Sequence, residues 1–149
     1  MTALFMAAIL ALSPRLAHDR AEDIARDIAH VVETEPPLFQ RRENAGFLLV
    51  AVAYRESGFR ESVETCRVKG DGGKSLGLWQ TQGDRAVCKN RRHAARVAFW
   101  MLRRSLEYCV HLPRFENRLS LYTTGKCQPN WHSRDRFAIA EKLRSEVER

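Results

Sequence analysis

One carboxylate in this 149-residue chain stands where a buried helix must end. Glu56 follows the apolar run Phe47-Leu48-Leu49-Val50-Ala51-Val52-Ala53-Tyr54 after a single arginine, and Ser57-Gly58-Phe59 comes next. A carboxyl desolvated at a packed helix end keeps its proton more readily. Beside a groove, a protonated carboxyl can protonate the leaving oxygen of a glycosidic bond. A second carboxylate, Asp71, lies in Gly70-Asp71-Gly72-Gly73-Lys74. It could hold an attacking water, the inverting geometry that sets two carboxyls about 6.5–9.5 Å apart, or it could simply satisfy a tight turn. Gly77-Leu78-Trp79-Gln80 follows. The glycine lets backbone approach a ligand, and Gln80 can offer an amide to a sugar's acetamido group. Trp79 is either a platform beneath a sugar ring or a core anchor.

The elements that must position these residues are mostly helical. Ala3 to Leu12 is apolar and too short to span a bilayer. It reads as a first core helix rather than a signal segment, since no positive charge precedes it and Arg15-Leu16-Ala17 is a poor cleavage site. Asp19 to Val32 is amphipathic, with Ile24, Ile28, Val31 and Val32 on one face. Glu35-Pro36-Pro37 stops it. A third helix, from about Leu38 to Ser57, is apolar all round in its second half and should be central, with Gly58 at its exit. Residues 59 to 83 hold five of the eight glycines and suit a loop or small hairpin. A fourth helix is expected from about Asp84 to Cys109, with Ala94, Val97, Ala98, Met101, Leu102 and Ser105 inward and Arg92, Arg96 and Arg103 in water. Pro113 opens a short helix holding Phe115, Leu119 and Tyr122, which Gly125 ends. Ser133 to Val147 forms a last helix with Phe137, Ile139, Ala140 and Leu143 as its core side.

These elements predict a mainly α single domain of about six helices with a small glycine-rich β or loop lobe. N-terminal helices occupy residues 1–37, a catalytic core 38–127 and a C-terminal helix 128–149. The length suits one domain with a real core. Hydrophobic residues make up 44% and charged residues 29%, a globular profile. Twenty-five Lys and Arg against 18 Asp and Glu leave a net charge of +7, which favours a polyanionic partner without choosing one. Arg91-Arg92, Arg96 and Arg103-Arg104 mark a helix face rather than a basic tail.

The cysteines, Cys66, Cys88, Cys109 and Cys127, permit three pairings. Cys66–Cys88 and Cys109–Cys127 are favoured because each closes one local loop; the alternative is four reduced, buried thiols. Bridges would place the protein outside the reducing cytosol. Neither C-x-x-C nor a close histidine spacing suggests zinc. Lys74-Ser75 fails as a phosphate-binding loop, because Val68 stands where the first glycine belongs. No G-x-S-x-G or Cys-His arrangement supports acyl chemistry.

Taken in order, Glu56-Ser57-Gly58-Phe59, Ser75-Leu76-Gly77-Leu78-Trp79-Gln80 and Leu121-Tyr122-Thr123-Thr124-Gly125 resemble a family pattern. It is the E-S-x-F, G-L-M-Q and A-Y-N-x-G pattern of soluble lytic transglycosylases and goose-type lysozymes, matched over about residues 45 to 126. Trp79 replaces the family's Met, and Thr123-Thr124 replaces its Asn-containing pair. The resemblance implies a lysozyme-like domain that cleaves the β-1,4 bond between N-acetylmuramic acid and N-acetylglucosamine. Glu56 would be general acid, then base. Ser75, Gly77, Leu78, Trp79, Gln80 and Gly125 would line the sugar groove, and Tyr122 would hydrogen-bond near the acid or the acetamido group. Asp71 matches the goose-type aspartate that positions water. A second family aspartate has no match: Gln82 stands about there, with Asp84 two residues on. Attack by water, or by the muramic 6-hydroxyl to leave a 1,6-anhydro end, remains open.

The expectation is therefore an enzyme with no cofactor and no metal. It acts on peptidoglycan glycan strands, has no nucleic-acid partner and no integral membrane span, and is a monomer unless part of a larger virion or wall complex. Its place is the periplasm, the cell wall or a virion. The competing class is a non-catalytic module of the same fold that binds wall polymer, or a basic helical protein that binds nucleic acid.

Overall fold

A computed structural model describes residues 1–148. Its seven α-helices run in the order α1 (Thr2–Leu12), α2 (His18–Thr34), α3 (Arg42–Ser57), α4 (Glu61–Glu64), α5 (Arg91–Tyr108), α6 (Ser120–Thr124) and α7 (Trp131–Val147). Between α4 and α5 lies a two-stranded antiparallel hairpin, β1 (Ser75–Leu76) and β2 (Thr81–Gln82), which pairs Ser75 with Gln82 and Leu76 with Thr81. Three short 3-10 turns complete the chain, at Asp71–Gly73, Arg85–Cys88 and Phe115–Leu119. The fold is thus mainly helical with a small β lobe.

α3 is the axle. Its residues Ala45 to Ala53 are all buried, because α2, α7 and α1 pack around it and α5 also touches it. An all-apolar helix has no face to give to water. α1 is part of the same core, with Phe5, Ala8 and Ile9 fully buried. Phe5 meets α3 edge-on at Phe47, with ring centroids 5.7 Å apart. It also covers Gly46, where an added Cβ would lie 2.0 Å from the ring.

Several boundaries differ from expectation, among them the short helix after Pro113, which is a 3-10 turn (Phe115–Leu119) running into α6. α3 begins at Arg42, not Leu38. The Pro36-Pro37 link stays extended, and arginine side chains satisfy its carbonyls: Arg42 Nη1 donates to Val32 O and Glu35 O, and Arg103 Nη2 to Pro36 O and Pro37 O. The segment expected as one helix from Asp84 is two elements. Asp84 Oδ1 caps the 3-10 turn at Ala86 N, and Asn90 Oδ1 caps the true helix start at His93 N. The glycine-rich segment also contains one helical turn, α4.

On the arginine face of α5, Arg92 and Arg96 are exposed as expected, but the arginines are also paired. Arg91 and Arg92 share Asp27 of α2, Arg91 also reaches Glu64, and Arg96 pairs with Glu35. Arg103 is half-buried against the Pro36-Pro37 carbonyls. Much of this basic face is therefore paired with acids of α2 and of the link that follows it. Among the described residues no helix is long and apolar enough to cross a membrane.

Candidate active site

The C-terminal end of α3 is clamped to α7 through consecutive residues. Arg55 makes a two-pronged ion pair with Asp135, at 2.7 and 2.6 Å. Glu56 Oε1 accepts from Arg136 Nη2 at 2.7 Å. The side chain of Arg136 is only 8% exposed and that of Glu56 22%. Ser57 Oγ donates back to Ala53 O and accepts from Phe59 N, while Gly58, at φ 58°, turns the chain away. Serine and glycine after the acid thus fix its direction through a side-chain latch and a left-handed cap.

The apolar corner expected around Glu56 is a correction. A guanidinium lies against Oε1; Oε2 has no hydrogen-bond partner among the described residues. Arg136 is in turn held by His132 O at 2.9 Å, while its Nε is buried without a partner among those residues. This arginine escaped sequence reasoning, though its register carried a signal. It shares the inward face of α7 with Ser133, Phe137, Ala140 and Leu143, and arginine is almost never fully buried unless paired.

Across from Glu56 stands the lobe. Ser75 Oγ donates to Asp71 Oδ2 at 2.5 Å. Asp71 and Gln80 both adopt positive φ, 48° and 49°, without being glycine. Such conformations cost free energy and cluster at functional sites. Gln80 folds back over Gly70: its Nε2 donates to Gly77 O at 2.9 Å, and a Cβ on Gly70 would lie 2.3 Å from its Oε1. The amide nitrogen expected to meet an acetamido group is therefore committed to the lobe's own backbone.

Gly77, Leu78 and Trp79 are also corrections. All three are buried, and none borders the cleft. Gly77 faces Val87. Trp79 is 0% exposed, and its Nε1 donates to Leu49 O at 2.9 Å, so its ring anchors the lobe to α3 and cannot lie beneath a sugar. Its backbone contributes instead: Trp79 O accepts the Tyr122 hydroxyl.

Tyr122 is placed from α5, because its N–H donates to Ser105 Oγ, which itself donates to Arg118 O. The residue is half-buried, with its hydroxyl turned inward. Burial, and then the negative charge of Glu56, push that hydroxyl well above the usual phenol range, against a smaller pull from Arg136. Tyr122 is thus a neutral donor in the field of the Glu56–Arg136 pair.

Together these parts border a cleft of about 480 Å³. Glu56, Asp71, Ser75, Gln80, Tyr122 and Gly125 all line it, and Met101 of α5 adds an apolar surface. Three sequence blocks far apart in the chain meet there. Asp84, considered as the missing second aspartate, does not line it: it caps a turn and binds His93, and the His93 contact holds its carboxyl below the usual range. Thr123, on the α6 side, bonds Asn130 at the start of α7, beside Trp131. Trp131 is 60% exposed, with one ring face on His132 at 3.9 Å. The disulfides form as expected, Cys66–Cys88 and Cys109–Cys127. Cys88 and Cys109 flank α5, while Cys66 lies in the lobe and Cys127 just past Gly125, so each cleft wall is tied to one end of that helix. No group of three His, Cys, Asp or Glu able to hold a metal occurs among the described residues. No protein-family model, curated protein or solved structure matches the chain.

Proposed function

We propose that the chain is a peptidoglycan-degrading glycosidase, a lytic transglycosylase or muramidase. It would cleave the β-1,4 bond between N-acetylmuramic acid and N-acetylglucosamine with Glu56 as general acid and base. The supporting observation is that Glu56, Asp71 and Tyr122 line one cleft although they come from three separate parts of the sequence. In this reading Oε2 of Glu56 faces the glycosidic oxygen while Arg136 fixes Oε1. Protonated Glu56 gives its proton to the departing glucosamine oxygen. When the muramic 6-hydroxyl attacks, Glu56 takes that hydroxyl's proton; when a water held by Asp71 attacks from the opposite face, Asp71 takes it. Tyr122 maintains the wall rather than reacting, since its hydroxyl is spent on Trp79 O.

One observation favours a second reading. The ion pair to Arg136 occupies the candidate acid, as it would in a wall-binding module that has no catalysis to perform. Turbidity clearing of purified peptidoglycan, wild type beside Glu56→Gln, separates the two. The enzyme reading expects clearing by the wild type and a loss of at least about a hundredfold in the variant. Product masses then assign the attacking group, because an anhydro end is one water lighter than a hydrolysed one. Wild-type protein that binds the wall without releasing fragments would sink the enzyme reading.

A further inference from the structure

A second surface cavity, of about 440 Å³, lies on the hairpin next to the cleft. It is bordered by Gly73, Lys74, Leu76, Gln82, Gly83 and Arg85, and Gln82 lines both cavities. The backbone around it is set by glycines at positive φ, with Gly73 at 93° and Gly83 at 90°. Lys74 and Arg85 are exposed, and among the described residues neither makes an ion pair or a side-chain hydrogen bond. That separates them from the arginines of the opposite flank, which are bound to Asp27, Glu64 and Glu35. Neighbouring acids are engaged too: Asp71 accepts from Ser75, and Asp84 binds His93. The border of the cavity thus carries two cations outside any ion pair among the described residues and no carboxylate, one glutamine away from the cleft.

We infer that the Lys74–Arg85 cavity is a subsite for an anionic substituent, a carboxylate or a phosphate, carried by the polymer that occupies the cleft. The inference rests on the glycan reading of that cleft and adds what the strand must bear at its side. Arg85 offers a planar fork for an oxyanion, and Lys74 a mobile point charge. Two such contacts at a solvent-exposed site are worth about fivefold in affinity. The preference belongs to binding and does not require turnover.

The test measures binding of the Glu56→Gln protein, which avoids cleavage, to four probes. They are a neutral chito-oligosaccharide, peptide-stripped wall glycan bearing lactyl carboxylates, wall fragments bearing teichoic phosphates, and a single-stranded oligonucleotide. At least one anionic glycan should bind about fivefold more tightly than the neutral oligomer, and the two anionic arms assign carboxylate or phosphate. K74A/R85A should abolish that preference and leave the neutral oligomer within about twofold. Both side chains are exposed, and a wild-type melting profile in the variant excludes misfolding. A preference that survives the double substitution overturns the subsite, as does an equal loss on the neutral oligomer. Tighter, Lys74- and Arg85-dependent binding of the oligonucleotide overturns it in favour of nucleic acid. The subsite and the glycosidase reading fail separately, because absent wall clearing removes the latter without touching the binding ratio.

Discussion

Glu56 and Arg136 form a 2.7 Å ion pair, and the arginine is the more deeply buried partner. The residue that reaches the cleft is thus steered by one that does not. Replacing Arg136 with methionine keeps most of the packing and removes the steering. The expected result is a kcat at least about tenfold lower, with KM changed far less, because misplacing a reacting group costs turnover before it costs affinity. Steady-state kinetics on a soluble glycan would show the split. A KM effect alone would assign Arg136 to substrate binding.

Tyr122 predicts a pH effect on stability. Its hydroxyl titrates well above the ordinary phenol value in the folded chain, whereas the unfolded chain titrates at about 10. Above that pH the unfolded state loses the proton first. The tyrosine's contribution is therefore whole below about pH 10 and falls as the pH rises towards the folded-state value. Tyr122→Phe should lose stability less steeply over that alkaline range than the wild type. At neutral pH it should be about 1 kcal/mol less stable through the lost hydrogen bond to Trp79 O. Denaturant melts at several pH values supply both numbers.

Gly46 carries an intolerance that its helix does not announce. Alanine would gain about 1 kcal/mol of helix propensity. Its methyl would also enter the space of the Phe5 ring, which is fully buried and cannot step aside. Overpacking costs about 1–3 kcal/mol, so Gly46→Ala should be neutral at best and destabilised by up to about 2 kcal/mol. Urea midpoints would measure it. Phe5→Leu/Gly46→Ala should recover part of the loss.

Each disulfide closes a loop of about twenty residues, with separations of 22 and 18. In the chain-entropy model that is worth about 3 kcal/mol apiece, or roughly 10 °C in a melting scan of a chain this size. C66S/C88S should lower the melting temperature by that order, and reduction of both bridges by about twice as much. Either should impair wall clearing at temperatures where the protein is still folded, since a cleft wall is released. Clearing unaffected by strong reductant would show that the walls hold without the bridges.

The helical plan was legible because hydrophobic spacing decides it. The run from Phe47 to Ala53 could only be a buried helix, and Ile24, Ile28, Val31 and Val32 could only face one core. Cysteine order alone favoured the two local bridges. What was not legible was lateral pairing. Nothing adjacent to Arg103 in sequence tells that it will satisfy carbonyls at Pro36 and Pro37, or that Arg91 will meet Asp27. The site divided along the same line. Glu56, Asp71, Ser75, Gln80, Tyr122 and Gly125 reached the cleft. Gly77, Leu78 and Trp79 did not, because a motif fixes the order of residues and not which way the turn between the two strands points. The anchoring of Trp79 depends on Leu49 O, thirty residues earlier.

α5, at 18 residues, is a rod about 27 Å long, with one bank of the cleft bolted to each end. The banks of the slot are thereby tethered to one rod rather than to each other. On the glycan reading proposed above, entry would be decided by calibre: a bare stretch of strand would slide in along its length, and a stretch crowded by cross-links would be turned away at the mouth.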